Sequence, residues 1–383
     1  MKKKILLLLL VMSFLLTGCF GKDSKDIVKE LDKKYNDLKS YKLTGDLEII
    51  NNDDVYNYNV EVLYQKKDKF NVNLKNKANN HEQIILKNEE GVYVLTPSLN
   101  KSFKFQSDWP YNNSQVYLLQ SIIEDILDDE KREITEDENY YTITSTVNYP
   151  NNRRLVKQIV KVDKDKNIKE VKVVDENNVE QMKMTFNTIE TNQTVDADSF
   201  NLDKIMEKSS TNPNNNPNNN SNNNQTNNQN NNTNNNQSTD QNNTTNNNTQ
   251  NNQNNTTQNN NQTTTSAETN VLEDTIYPLY IPTGTVLTSE EKIAKTDGER
   301  VIMTFEGEKP FLLVEETASI EEEFSIIPTY GEPYLLIDTV GALTENSITW
   351  SSNGIDYYIV SDVMSQDELV DIARSVNVVP NMK

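Results

Sequence analysis

The sequence predicts an α+β protein: a first folded segment built as an antiparallel sheet with helices to cover it and a smaller α+β second segment, joined by a stretch that cannot fold. Three observations carry this. Residues 211–265 are almost entirely Asn, Gln, Thr and Ser. Before them run alternating strand-like segments interrupted by amphipathic helical ones. After them comes a shorter set of strands closed by a capped helix. The 383 residues are only 34% hydrophobic, below the roughly 45–50% apolar content of an average soluble domain. The deficit is concentrated in the polar run, so the flanking segments keep ordinary domain compositions.

The chain opens with Lys2-Lys3-Lys4 and an apolar run from Ile5 to Leu16. Twelve residues are too few to span about 30 Å of hydrocarbon, which needs about 20. They fit a secretion signal, predicted over residues 1–18. Leu16-Thr17-Gly18-Cys19 resembles the bacterial lipobox, which implies cleavage between Gly18 and Cys19 and acylation of the Cys19 thiol. Several acyl chains on one residue anchor a protein firmly, whereas one alone binds marginally. The expected location is the extracytoplasmic face of the cytoplasmic membrane, with residues 19–24 as a lipidated tether.

The first folded segment, residues 25–208, begins with a helix carrying Ile27, Leu31, Tyr35 and Leu38 on one stripe. Strands are predicted over 42–50, 55–65, 70–75, 83–87, 91–96 and 101–106, several with strict alternation, as in Phe70, Val72 and Leu74 against Asn71, Asn73 and Lys75. Ser114 is read as the cap of a second helix, whose Leu119, Ile122, Ile123, Ile126 and Leu127 recur at helical spacing. Four more strands follow, over 140–147, 154–162, 168–175 and 179–189. One face of such a sheet is available for helices to cover.

Residues 209–270 lack the apolar content to offset an ordering entropy of about 1–2 kcal/mol per residue. They are read as a disordered linker, with a mean span of about 40 Å as a flexible coil. The second segment, residues 271–383, is predicted to place strands over 301–305, 311–316, 335–337, 347–350 and 356–361. Ser365-Gln366-Asp367-Glu368 forms a capping box ahead of a last helix.

Charge is uneven. Residues 19–208 carry 28 basic and 35 acidic side chains, and residues 268–383 carry 6 and 22. That acidity argues against nucleic acid as a partner and reads as a solvated face on a domain that reaches outward on its tether.

Motifs for chemistry are few. One Cys and one His exclude disulfides and multi-Cys zinc sites. Asp163, Asp165 and Asn167 have the spacing that opens a calcium loop, but Ile168 stands where Gly is needed and Val174 where Glu is needed. They are read as a polar hairpin turn. Glu124, Asp125, Asp128, Asp129 and Glu130 are read as a solvated helix end, and His81 as a residue of an exposed polar loop. There is no phosphate-cradling Gly-rich loop, no His-Glu-x-x-His and no Gly-x-Ser-x-Gly. No cofactor, no metal and no enzymatic activity are expected.

Leu38-Lys39-Ser40-Tyr41, the run 66–72, Glu90-Gly91-Val92-Tyr93-Val94-Leu95-Thr96 with the following Pro97-Ser98-Leu99-Asn100, and Val195-Asp196-Ala197-Asp198-Ser199-Phe200 carry a likeness across residues 25–205. There the chain resembles the LolA/LolB/RseB superfamily of envelope proteins, and as a whole it is similar to GerS-type germination lipoproteins of spore-formers. The resemblance implies an open antiparallel half-barrel whose concave apolar face is covered by helices. It also implies a protein or lipid partner: GerS-type proteins work through a cell-wall amidase. Trp350, Gly354, Tyr358 and the helix over 365–373 resemble small end domains of Gram-positive envelope proteins.

The sequence thus reads as a non-enzymatic, membrane-anchored envelope lipoprotein. It is expected to bind either a partner protein, a cell-wall or spore-cortex hydrolase by resemblance, or an apolar moiety. The candidate cleft is Phe70, Val72, Leu74, Tyr93, Leu95, Leu119, Ile122, Ile123 and Ile126. The alternative is a lipid or lipoprotein acceptor, or an RseB-like envelope sensor.

Overall fold

The computed structural model describes residues 23–51, 54–210, 272 and 274–376. The predicted signal, Gly18, Cys19 and nearly all of the predicted linker lie outside them. Helix α1 (Asp23–Tyr35) leads into six strands, β1 (Ser40–Asn51), β2 (Asp54–Gln65), β3 (Lys69–Asn76), β4 (Glu82–Asn88), β5 (Gly91–Thr96) and β6 (Lys101–Phe105). Helix α2 (Leu119–Asp128) interrupts the meander. It resumes as β7 (Glu133–Glu136), β8 (Tyr140–Thr146), β9 (Lys157–Asp163), β10 (Ile168–Val174) and β11 (Glu180–Thr191), followed by α3 (Leu202–Ser210). The second segment adds β12 (Thr285–Lys295), β13 (Gly298–Gly307), β14 (Phe311–Thr317), β15 (Ser325–Thr329), β16 (Glu332–Leu335), β17 (Val340–Leu343), β18 (Ser347–Ser352), β19 (Ile355–Val360) and α4 (Gln366–Val376).

The fold is α+β, built on an open, twelve-stranded sheet of the half-barrel kind in the order β15-β6-β5-β4-β3-β2-β1-β11-β10-β9-β8-β7. Every pairing in it is antiparallel except β15 with β6. A second, seven-stranded antiparallel sheet runs β12-β13-β14-β19-β18-β17-β16. At the centre of the first sheet Gly45 sits on a register shift between β1 and β11. A Cβ there would lie 2.4 Å from the Thr185 carbonyl oxygen, so only glycine allows this approach.

Period-two alternation divides the first sheet's side chains between two cores. One face takes Leu43, Leu47, Val60, Val62, Phe70, Val72 and Val160, and is covered by Ile27, Leu31 and Tyr35 of α1 and Leu119, Ile122, Ile123 and Ile126 of α2. On the opposite face, α3 lays Leu202, Ile205 and Met206 over Ile84, Leu86, Tyr93 and Leu95. Helix α3 was not among the elements predicted from the sequence. Its nine residues carry three buried apolar side chains, and its end abuts the polar run.

The acidic segment does not stand apart, as the expected outward reach implied. β15 extends the first sheet at β6, with Ser325 opposite Lys101 and Thr329 opposite Phe105. β17 places Val340 and Ala342 in the first core, while its neighbour Leu343 lies in the second. Gln83 of β4 accepts hydrogen bonds through Oε1 from the Val340 amide and, at 3.1 Å, from Thr339 Oγ1. The Tyr58 hydroxyl donates to the Ile337 carbonyl. Arg154 pairs with Asp371 of α4, and the Arg153 amide donates to Asp367 at 3.2 Å. Part of the acidity read as a solvated face therefore meets the first segment's arginines.

Ser114 is not the cap of α2. The helix begins at Leu119 without a side-chain cap. Ser114 Oγ instead donates to Asp125 at 2.8 Å and accepts from the Asn148 amide at 2.7 Å, tying α2 to the loop that follows β8. The capping box of α4 is present: the Ser365 amide donates to Glu368 at 3.0 Å.

Candidate functional site

The candidate cleft residues separate into two groups. Phe70, Val72, Leu74, Leu119, Ile122, Ile123 and Ile126 meet in one core, each no more than 2% exposed. Tyr93 and Leu95 do not join them, because alternate positions on β5 face opposite ways: Val92 and Val94 point to that core, Tyr93 and Leu95 to α3. The covered face is filled. An aromatic chain of Tyr41, Tyr64, Phe70 and Trp109, with centroids 5.0–5.9 Å apart, runs across one end of β1, β2 and β3. The cavity along it, beside Trp109, Val116 and Tyr117, is about 40 Å³, room for water rather than an acyl chain.

The spacious site lies between the two sheets. A cavity of about 420 Å³ is bounded by β5 and β6 on one side, β15 at its edge, and β17, β18 and β19 on the other. This volume falls in the range of roughly 300–1,000 Å³ that small ligands occupy. Val94, Phe103, Phe105, Ile327, Ala342 and Trp350 give it apolar walls. Trp350 is held rigid by stacking on Tyr357, centroids 4.9 Å apart. Thr96, Thr349 and Ser351 add hydroxyl groups, and Tyr330, 79% exposed, stands at the rim. Two charged side chains line the cavity, Lys101 and Asp356, with Nζ and Oδ2 3.8 Å apart. The sequence carried a signal for this site that alternation alone did not convey. Lys101, Phe103 and Phe105 share one face of β6, so a charge stands in line with two aromatics.

The other polar features resolve as structure. Asp163 accepts from the Asn167 amide at 2.8 Å, and Asn167 Oδ1 accepts from Lys34 at 2.8 Å, so this turn is a hairpin clamp on α1. Among the described residues no group of three or more His, Cys, Asp or Glu could hold a metal. Asp125 is not a solvated end residue: burial pushes its carboxyl up to about 7, against the Ser114 hydrogen bond, with Glu124 and Asp128 adding to the rise. Asp129 accepts from the Thr146 and Lys131 amides, both at 2.8 Å. His81 is not an exposed loop residue either. Its Nε2 is buried without a hydrogen-bond partner, and burial lowers its pKa against the pull of Glu82. The reason is local: the Asn79 side chain accepts the His81 amide at 2.9 Å and folds the loop back. Among the described residues no helix is long and apolar enough to cross a membrane.

Comparison with known proteins gives the lineage. Residues 2–200 match the family model described as sporulation protein YdcC-like. Sporulation protein YdcC of Bacillus subtilis (strain 168) is 33% identical over 378 residues, covering 98% of this chain and 97% of that protein. Among solved structures the chain is similar to the MucA/MucB complex of Pseudomonas aeruginosa (10% identity, TM-score 0.30, 92% of this chain and 98% of that one). It is also similar to a LolA superfamily protein of Nitrosomonas europaea (12%, TM-score 0.29, 47% and 97%). A further likeness is to the structure of the CwlD amidase of Clostridioides difficile with the GerS lipoprotein (14%, TM-score 0.20, 47% and 100%). With a family model matching over half its length and a relative aligned almost end to end, this chain belongs to the sporulation protein YdcC-like family.

Proposed function

We propose that this protein is an exported, lipid-anchored and non-enzymatic binding protein of the envelope of sporulating cells, and that it engages a protein partner at the cavity between its two sheets. The sporulation setting rests on the family's description, and the anchor on Leu16-Thr17-Gly18-Cys19. One observation carries the choice of a protein partner over an apolar cargo. The half-barrel interior is closed, with Ile122, Ile123 and Ile126 at most 1% exposed, while the larger cavity opens at an edge strand with Tyr330 on its rim. A fold that carries lipid inside the sheet needs an open interior; this one has used that face to bind its own helices.

The experiment is capture of the full-length protein from membranes of sporulating cells through a tag after Lys383, in mild detergent, with mass spectrometry of protein and lipid. The reading expects a stoichiometric protein that is lost in Tyr330→Asp while the variant stays folded. A retained lipid or acylated peptide, unaffected by Tyr330→Asp, would overturn it in favour of a carrier or acceptor.

A further inference from the structure

The cavity between the sheets contains a cation that the fold leaves without a close partner. Lys101 is 5% exposed, its stem packed away, and its ammonium carries three N–H donors that call for near acceptors. Among the described residues its one ion-pair partner is Asp356, at 3.8 Å, beyond hydrogen-bond distance. Asp356 is itself engaged, its Oδ1 accepting from Ser351 Oγ on β18. The Lys101 ammonium therefore stands in a cavity of about 420 Å³ with donor capacity to spare. Phe103, Ile327, Val340, Ala342 and Trp350 surround it with apolar surface. The complement of such a site is an apolar body that ends in an oxyanion. A singly charged end fits better than a doubly charged one, because a phosphate dianion would bring its second charge against Asp356.

We propose that this cavity binds a ligand with an apolar body and a terminal carboxylate, the carboxylate on Lys101 Nζ and the body against Phe103, Ile327, Val340, Ala342 and Trp350. The inference rests on the reading above that the cavity is the binding site, and it names what the site takes. A peptide C-terminus and a short fatty acid share this chemistry, and Asp356 acts as the group that the arriving carboxylate displaces from Lys101.

The test is calorimetric titration of the full-length protein with four probes: N-acetyl-leucyl-leucine, octanoate, and the terminal amide of each. One of the two carboxylates is expected to bind, with at least tenfold weaker binding of its amide; which one binds separates the peptide source from the fatty-acid source. Lys101→Met should abolish the carboxylate's advantage, Lys101→Arg should retain it, and Asp356→Asn should tighten carboxylate binding several-fold by removing the competing charge. If Lys101→Met does not fold, the amide comparison and Asp356→Asn decide. Absence of binding by both carboxylates, or equal binding of acid and amide, overturns the proposal. With partner capture still abolished by Tyr330→Asp, that result leaves the functional reading standing; loss of both overturns both.

Discussion

Glu315 shows what a single residue reveals that pattern conceals. It sits on β14 with no exposed surface; Oε2 accepts the Ile276 amide at 3.1 Å, and Oε1 is buried without a partner. Burial pushes its pKa up to about 7, against that hydrogen bond. A carboxyl whose folded pKa lies above its unfolded value stabilises the fold below the unfolded value, and this contribution is lost as pH rises through about 7. Glu315→Gln should therefore gain stability relative to the natural protein between pH 4.5 and 7.5, by up to about 3 kcal/mol, measured by denaturant unfolding at each pH. A flat difference would show that the carboxyl is solvated. Ile122 gives the opposite kind of prediction: it is 1% exposed in the closed face of the half-barrel, so Ile122→Ala should cost about 2–5 kcal/mol in the same assay. The burial of Ile122 was legible, because helical spacing alone puts it on the apolar stripe. Glu315 was not, because a charge at an inward position breaks the alternation that would have exposed its place; Lys101 left only the trace of sharing its face of β6 with Phe103 and Phe105.

At the scale of elements, long alternating strands were legible and the pieces that join the two segments were not. β1, β3 and β11 announce themselves by period-two patterns. β15 reads Ser-Ile-Ile-Pro-Thr, and its proline at a sheet edge blunts further pairing; it follows three consecutive glutamates, Glu321 to Glu323. β12 has ten exposed residues out of eleven, so burial wrote no pattern into it. Period two also says that Phe70 and Tyr93 belong to strands, but not which face of the sheet each takes. That depends on register between strands, which only the assembled sheet fixes. The cover of the second face by α3 gives a test. Ile205→Asp, at a site 6% exposed, should release α3 and speed amide exchange in β4 and β5, with β1, β2 and α2 protected as before. Uniform loss of protection would mean that the two faces are one cooperative layer.

For the whole molecule, the assignment of polar groups between the segments matters most. The linker's composition suggests two independent domains, yet Gln83, Tyr58, Arg153 and Arg154 all bond to residues beyond 330. Such contacts are invisible to sequence patterns because each partner alone resembles an ordinary surface or strand residue. Gln83 is 4% exposed and serves both Thr339 and the Val340 amide. Gln83→Leu should take this acceptor from the Val340 amide, while the Thr339 hydroxyl keeps the Ser351 carbonyl at 2.8 Å, and cost about 1–3 kcal/mol, lowering one shared unfolding transition. A second transition appearing for residues beyond 271 would show that the segments fold apart.

That the two segments form one body, with the binding cavity between them, is what the functional reading requires. It is tested most directly by a spin–spin distance measurement between labels at the exposed positions Lys157 and Asp362, with Cys19 replaced by Ser. One narrow distance distribution, unchanged by shortening the stretch 211–265, is the result expected. A distribution spread over tens of Å, of the kind a flexible tether of that length produces between independent domains, would contradict the account and remove the cavity with it.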